Sequence, residues 1–241
     1  MIYGGFAQIY DKFMDTPYDA WADYIAAIWR RFGASPKLAL DLACGTGGLT
    51  ARLAARGVEM LGIDISAEML AIARQKNDGI LFLQQDMRSF ELYGTVDAIV
   101  CGCDGINYLL DESDLRATFA LCANYLNPGG ILVFDINTEH KFKNILGDNT
   151  FAATDTDAAY IWENTWHEAE KINEYAISCF VEQGELYRRF DEVHEQRAYT
   201  PAQIEDALRA AGLKPLAQYD ELTFEAPGPK SERVFFVAAL L

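Results

Sequence analysis

The sequence lacks long apolar runs. No stretch of about twenty consecutive apolar residues occurs among its 241 residues, which excludes a membrane-spanning helix. The N-terminus also lacks a basic segment followed by an apolar one, so we expect no signal peptide. About half of the residues are hydrophobic (51%), which is enough to bury one substantial core.

Cysteine is sparse, and the five cysteines are odd in number and scattered. A disulfide framework is not expected in a chain of this size, so we predict a reducing, cytoplasmic location. Cys101 and Cys103 have the wrong spacing for a zinc knuckle, and no further His or Cys partners lie nearby in sequence. The sequence therefore predicts packing or cavity-lining cysteines and no metal site.

Positive charge is also scarce. The chain has 20 Lys and Arg against 36 Asp and Glu, a formal net charge of −16 at pH 7. This field repels polyanions unless a local basic patch overcomes it, and the basic residues are dispersed. We therefore expect no nucleic-acid partner, and without a spanning segment we expect no membrane partner either.

Short apolar runs alternate with helical segments over the first 137 residues. This alternation predicts parallel strands joined by crossovers, that is, an open α/β sheet with helices on both faces. Two more strands follow a helix whose start is marked by the capping box Thr200-Pro201-Ala202-Gln203. The predicted strands of this sheet are 38–42, 58–63, 80–84, 96–101, 131–136, 213–223 and 233–240.

The pattern changes after Asn137. Residues 138–158 are polar and irregular, whereas 160–167, 173–182 and 185–194 are rich in aromatic and β-branched residues. We interpret the last three as antiparallel strands, with Gly184 in a turn. The sequence thus predicts a single domain, 1–241, in which 1–137 and 200–241 form a Rossmann-like core and 138–199 form an inserted β-rich substrate cap.

A glycine-rich turn follows the first predicted strand. Gly45 and Gly47 lack a Cβ, which permits unusual dihedrals and lets a ligand approach the main chain at the start of a helix. A dinucleotide site needs a third glycine, but Thr50 stands there. Asp41 would repel a pyrophosphate and suits a ligand that carries an amino group or a positive sulfur. The function of a nucleotide-dependent oxidoreductase is therefore less favoured.

The stretch Asp41-Leu42-Ala43-Cys44-Gly45-Thr46-Gly47 resembles the first motif of the class I S-adenosylmethionine-dependent methyltransferases, D/E-x-G/A-x-G-x-G. The resemblance implies a seven-stranded, mostly parallel sheet with an antiparallel last strand. It also implies S-adenosylmethionine as cofactor and S-adenosylhomocysteine as product.

The resemblance implies contacts for each part of the cofactor. Asp64, after the second strand, is expected to accept both ribose hydroxyls, in charge-assisted hydrogen bonds worth about 1.5–3 kcal/mol each. Asp86 and the Met87 backbone are expected to meet the adenine. The alternative for Asp64 is an acid of the N-cap region of the next helix, and the alternative for Asp86 is that it only caps its turn. The predicted cofactor-binding set is Asp41, Ala43, Cys44, Gly45, Gly47, Asp64, Ile65, Met69, Asp86, Met87, Cys101 and Cys103.

The N-terminal residues Tyr3, Phe6, Ala7, Tyr10 and Asp11 resemble the lid of small-molecule members, Y-x-x-F-A-x-x-Y-D. Tyr10 is the first candidate for cation–π stabilisation of the sulfonium, worth about 0.5–2 kcal/mol. A general base is needed only where the acceptor must lose a proton. The catalytic candidates are Tyr10, Asp104, His167 and His194, and the substrate candidates are Tyr3, Asn107, Tyr108 and Arg197.

The sequence predicts an enzyme that transfers a methyl group to an O, N or C nucleophile of a small molecule by in-line displacement. A protein that binds the cofactor without turnover, in a regulatory role, remains the alternative from another class. The acceptor stays open, and so does the choice between monomer and homodimer.

Overall fold

A computed structural model describes residues 5–241, so the substrate candidate Tyr3 lies outside the described residues. Within this range the chain forms six α-helices and two sheets, and no helix is both long and apolar enough to cross a membrane. The helices are α1 Ala7–Phe13, α2 Tyr18–Arg31, α3 Gly48–Ala55, α4 Ala67–Lys76, α5 Glu112–Tyr125 and α6 Pro201–Ala210. The strands are β1 Leu38–Leu42, β2 Glu59–Asp64, β3 Leu81–Gln84, β4 Val96–Cys101, β5 Leu126–Asn137, β6 Thr150–Thr154, β7 Ala158–His167, β8 Ile172–Gln183, β9 Leu186–Arg197, β10 Leu213–Asp220 and β11 Arg233–Leu240.

The larger sheet has seven strands in the order β10-β11-β5-β4-β1-β2-β3. Strands β1 to β5 are parallel to one another, and β11 runs antiparallel to both β5 and β10. This confirms the predicted mostly parallel sheet with an antiparallel last strand. The chain leaves β1 toward β2 on one side and returns to β4 on the other, so the order reverses beside β1, where open α/β sheets bind ligands.

The sheet is buried on both faces because successive residues of a strand point to opposite sides. Leu40 and Phe236 pack toward α5 and α6, in one apolar cluster. Their neighbours in sequence, Ala39 and Phe235, pack in a second cluster with residues of α2 and α3, including Trp21. Helices therefore cover both faces, as the sequence predicts.

The second sheet is antiparallel, in the order β6-β7-β8-β9, and occupies 150–197. The prediction of three strands was wrong by one, because 150–154 was included in the irregular segment. β6 is an edge strand with four of its five residues exposed, so it carries no alternation of apolar and polar residues. Gly184 does lie in the turn between β8 and β9, with φ +65°.

Helix α1 joins the two parts of the molecule. Phe6 and Ile9 are buried in one cluster with Tyr175 and Ile177 of β8, beneath the second sheet. Lys12 adds ion pairs to acids of the β6–β7 turn. The N-terminal helix is thereby held against the inserted sheet, at the mouth of the site described next.

Candidate active site

The turn after β1 owes its shape to left-handed backbone at Ala43, Gly45 and Gly47, with φ +60°, +54° and +75°. A Cβ added at Gly45 would meet no atom within 4 Å, so this residue faces open space. A Cβ at Gly47 would lie 2.9 Å from the Phe82 ring. Gly47 therefore permits close packing on β3 and the start of α3, and it is not among the residues that line the cavity described next.

A cavity of about 310 Å³ lies at the carboxyl ends of β1 to β4. Its volume is within the ordinary range for small-ligand sites. It contains ten of the twelve residues of the predicted cofactor-binding set. The two that do not line it are Gly47 and Cys101, whose fully buried thiol packs in the apolar core. The ten are Asp41, Ala43, Cys44, Gly45, Asp64, Ile65, Met69, Asp86, Met87 and Cys103.

Asp64 ends β2 and is 8% exposed. Its two carboxylate oxygens accept hydrogen bonds from the backbone N–H groups of Gly45 and Ser66, each at 2.8 Å. Burial raises the pKa of Asp64, and these N–H groups oppose the rise. The helix cap predicted nearby is supplied by Ser66, whose hydroxyl accepts from the Met69 N–H at 3.1 Å. Asp64 is therefore not the cap of α4, and its carboxylate faces the cavity.

Asp41 is the second buried acid of this cavity. Its Oδ2 accepts a hydrogen bond from the Thr50 hydroxyl at 2.6 Å. A glycine at position 50 has no side chain and could not make this bond. Burial raises the pKa of Asp41 to about 7, against the lowering effect of Thr50, and the charge of Asp64 adds to the rise. Within residues 5–241 neither acid forms an ion pair with a lysine or arginine.

Asp86 lies in the turn after β3 and is bound by a residue that sequence reasoning did not single out. Arg88 Nε lies 3.0 Å from both carboxylate oxygens, and Arg88 Nη2 donates to Oδ2 at 2.6 Å. These hydrogen bonds lower the pKa of Asp86 despite its partial burial. Asp86 is thus held ionised at the cavity rim, with Arg88 and Met87 beside it.

Helix α1 closes one side of this cavity. Tyr10 lines it, and burial raises the pKa of its hydroxyl well above the usual value. Asp11 accepts from the Thr46 hydroxyl of the glycine turn at 2.8 Å and pairs with Lys76 at the end of α4. Tyr18, at the start of α2, lines the same cavity although the sequence offered no signal for it.

A second cavity of about 300 Å³ lies between α1, the inserted sheet and the end of β5. It shares Tyr10, Cys103 and Tyr108 with the first cavity. Two more predicted residues line it, Asp104 and His194. Sequence reasoning missed the remaining polar side chains because they come from distant segments, among them Lys141, Tyr175, Gln196, Glu221 and Arg233.

Asp104 is fixed from two sides. Arg233 Nη2 donates to its Oδ1 at 3.0 Å, and Gln196 Nε2 donates to its Oδ2 at 2.6 Å. Arg233 also pairs with Asp135, which is completely buried. Cys103 and Asp104 both take left-handed backbone, φ +56° and +57°, and Asp135 accepts the Asp104 N–H at 2.9 Å. The network therefore maintains a strained turn between the two cavities.

Tyr108 meets a buried pair on β9. Its hydroxyl lies 3.4 Å from His194 Nδ1, and His194 Nε2 lies 3.0 Å from Glu192 Oε2. The other oxygen of Glu192 accepts the backbone N–H groups of Gly5 and Phe6 at 2.5 and 2.9 Å. Burial favours the neutral acid, but hydrogen bonds from His194 and from the two N–H groups lower the pKa of Glu192 overall.

Of the catalytic and substrate candidates within residues 5–241, three are not brought to either cavity. His167 ends β7, where it pairs with Ile172 of β8, and it lines neither cavity. Asn107 is completely buried: its Nδ2 donates to the carbonyls of Asn137 and Arg197, and its Oδ1 accepts the Asn137 N–H. Arg197 donates to the Leu110 carbonyl at 2.7 Å. Asn107 and Arg197 thus join the inserted sheet to the core.

The first cavity fits the cofactor that the motif resemblance implies. Asp41 and Asp64, two buried acids that form no ion pair with any described residue, suit a ligand that carries an ammonium group and hydroxyls, and they disfavour a polyphosphate. The open space over Gly45 leaves room for that ligand against the backbone. Asp41 and Asp64 are the residues that would hold its amino group and its ribose.

Known proteins are similar to this chain in sequence and in fold. A family model described as a methyltransferase domain matches residues 39–130. YqeM of Bacillus subtilis, named as a presumed methyltransferase, is 42% identical over 99% of this chain and 97% of its own length. A dTDP-3-amino-3,6-dideoxy-α-D-glucopyranose N,N-dimethyltransferase of Streptomyces fradiae is 28% identical over 96% of this chain and 90% of its own. A crystal structure of an S-adenosylmethionine-dependent methyltransferase from Clostridium acetobutylicum aligns with a TM-score of 0.88 and 35% identity, over 99% of this chain and 98% of the other.

Proposed function

We propose, from the premise that this chain belongs to the class I S-adenosylmethionine-dependent methyltransferases, that its acceptor is an amino nitrogen of a small molecule held in the second cavity. The cofactor, when bound, supplies an electrophilic methyl group on a positively charged sulfur. The chain's own residues then have to bind the acceptor, orient it and exclude water.

The observation that carries this proposal is the meeting of the two cavities. Tyr10, Cys103 and Tyr108 line both, so a donor in the first cavity and an acceptor in the second would face each other there. Such orientation alone can lower a barrier by roughly 7–11 kcal/mol. The volume of the second cavity, about 300 Å³, suits a small acceptor group.

The charges of the second cavity favour an amine. Its lining carries the carboxylates of Asp15, Asp104 and Glu221 against the cations of Lys141 and Arg233. An excess of negative charge attracts a basic amine and repels a free carboxylate or phosphate at the reacting centre. The Streptomyces fradiae relative, whose name describes N,N-dimethylation of an amino sugar, supports the same acceptor class.

The site residues follow from this proposal. The ten predicted residues that line the first cavity would bind the cofactor, with Tyr18 and Arg88 added to them. Residues 138–199 would act as the acceptor cap, since β8 and β9 supply Tyr175 and His194 to the second cavity. Five free cysteines, four of them buried, support a reducing compartment such as the cytoplasm.

The test is methyl transfer from S-adenosylmethionine labelled in its methyl group. Acceptors are a dTDP-3-amino-3,6-dideoxyglucose, its 3-hydroxy counterpart and a set of small primary amines with their matched alcohols. We expect label on an amine and none on the paired alcohol. Label on the alcohols alone, or no transfer to any amine by protein that binds S-adenosylhomocysteine, would overturn the proposal.

A further inference from the structure

Lys141 gives the second cavity a cation that no described carboxylate contacts. It begins the short helical segment Lys141–Leu146, which follows β5, and it lines the second cavity but not the first. Its Nζ donates to the side-chain oxygen of Asn137 at 3.0 Å, and within residues 5–241 it forms no ion pair. An ammonium group has three N–H donors, so two of them have no acceptor in the described part of the chain.

The carboxylates of this cavity are already bound to its other cation, Arg233. Asp104 accepts from Arg233 Nη2 at 3.0 Å, and its second oxygen accepts from Gln196 at 2.6 Å. Glu221 Oε1 lies 3.2 Å from Arg233 Nε. The negative charge of the cavity is therefore gathered around Arg233, and Lys141 is left without a carboxylate contact.

The ammonium of Lys141 lies close enough to these groups to respond to their charges. Burial lowers the pKa of Lys141, and the positive charge of Arg233 adds to this effect. Asp104 and Glu221 act in the opposite direction without contacting the ammonium. Since all three charged groups line the second cavity, the ammonium lies on the cavity side of its segment.

The backbone on which Lys141 stands is fixed. Its own N–H donates to the Thr138 hydroxyl oxygen at 3.2 Å, and that hydroxyl donates to the Ser231 carbonyl at 2.7 Å. Asn107 binds both the N–H and the carbonyl of Asn137. A ligand would therefore find this cation in place, which reduces the entropic cost of binding.

We propose that Lys141 binds a charged oxygen group of the acceptor, which is therefore a small amine that also carries a carboxylate or a phosphate. This inference rests on the proposed function and makes Lys141 a specificity-determining residue. Lys141 is not among the residues that line both cavities, so the oxyanion would bind apart from the reacting nitrogen. A hydroxyl could accept the same N–H groups, but it would leave the charge of a largely buried ammonium unbalanced.

The test compares amines that differ only in the oxyanion. The probes are glycine, β-alanine, 4-aminobutyrate and 5-aminopentanoate, each with its amide, and 2-aminoethyl phosphate with 2-aminoethanol. The series of chain lengths samples the spacing between the reacting nitrogen and Lys141. Calorimetric titration of the protein saturated with S-adenosylhomocysteine measures each affinity without methyl transfer.

We expect the parent protein to bind at least one acid-bearing amine about tenfold or more tightly than its uncharged partner, as a hydrogen bond to a charged group allows. Lys141→Met should lose this preference and still bind the uncharged partner within twofold of the parent. The matched control Lys143→Met removes an exposed lysine of the same segment, paired with Glu168, and should keep the preference. The favoured probe distinguishes a carboxylate from a phosphate.

Methyl transfer gives a second readout that a merely structural role would not produce. Lys141→Met should raise KM for the favoured acid-bearing amine about tenfold or more, with KM for its uncharged partner and both kcat values within about threefold of the parent. Lys141→Gln, which removes the charge and keeps a donor for Asn137, is the second variant should Lys141→Met fail to fold.

Three results would overturn the inference: no preference for any acid-bearing probe in the parent, the same preference in the Lys141 variants, or equal loss in Lys143→Met. If no amine is methylated, the proposed function fails. The binding preference needs no turnover and still decides the role of Lys141.

Discussion

The carboxylate of Asp64 should dominate cofactor affinity, and Asp64→Asn tests this with the least change of shape. The parent carboxylate is 8% exposed and accepts from Gly45 and Ser66, each at 2.8 Å, with its remaining lone pairs toward the first cavity. The amide replaces one oxygen and removes the charge. One ribose hydrogen bond is then lost and the other loses its charge assistance, at a cost of about 2–4 kcal/mol. Affinity should fall roughly 30- to 700-fold, since 1.4 kcal/mol is tenfold.

The assay is calorimetric titration with S-adenosylhomocysteine at pH 8. Asp78→Asn, at an exposed position in the turn before β3, is the matched control and should bind within twofold of the parent. The melting temperature of each ligand-free variant shows whether the Gly45 and Ser66 contacts still hold the loop. Asp64→Asn that melts like the parent and binds within twofold of it would refute the ribose assignment.

Three further predictions concern the charges around the site. Arg233→Met should lower the free energy of unfolding by about 3–5 kcal/mol in urea titrations, because the completely buried Asp135 loses its partner. Because burial raises the pKa of Asp41 to about 7, the folded protein binds more protons than the unfolded chain between about pH 4 and 7. The ligand-free protein should lose stability as pH rises through that window, while affinity for S-adenosylhomocysteine should increase as Asp41 ionises. Asp11→Ala removes the part-buried hydrogen bond to Thr46 and the ion pair with Lys76, and it should speed amide exchange in α1 about fivefold, the equivalent of about 1 kcal/mol.

Each of these has its own control. Arg209→Met removes an exposed arginine of α6 and should cost less than about 1 kcal/mol, so equal losses for Arg209 and Arg233 would contradict the buried network. Asp41→Asn should flatten the pH dependence of ligand affinity, and a persistent rise in that variant would assign it to another group. Unchanged exchange in residues 7–13 of Asp11→Ala would show that apolar packing alone holds α1.

Short sequence patterns were enough to identify residues that line the first cavity, where the cofactor would bind. Asp41 lies one residue before the end of β1 and Asp64 ends β2, and the carboxyl ends of parallel strands meet at one edge of the sheet whatever the details of the loops. The capping residues Ser66 and Thr200 likewise set their helices, as the hydrogen bonds of both show. These features depend on residues close together in the chain, and for that reason the sequence predicts them.

The second cavity, proposed to hold the acceptor, could not be predicted from such patterns. Its groups come from α1, the turn after β4, the inserted sheet and β11, and only packing brings Tyr108 to His194 or Arg233 to Asp104. Polar residues such as Asn107 and Arg197 suit substrate binding and backbone support equally well until their partners are known.

The sequence by itself determined the fold class and the donor, because a short motif and a strand periodicity encode them. The tertiary structure decided which polar side chains face the acceptor, because burial and long-range hydrogen bonds select among candidates that the sequence leaves equal.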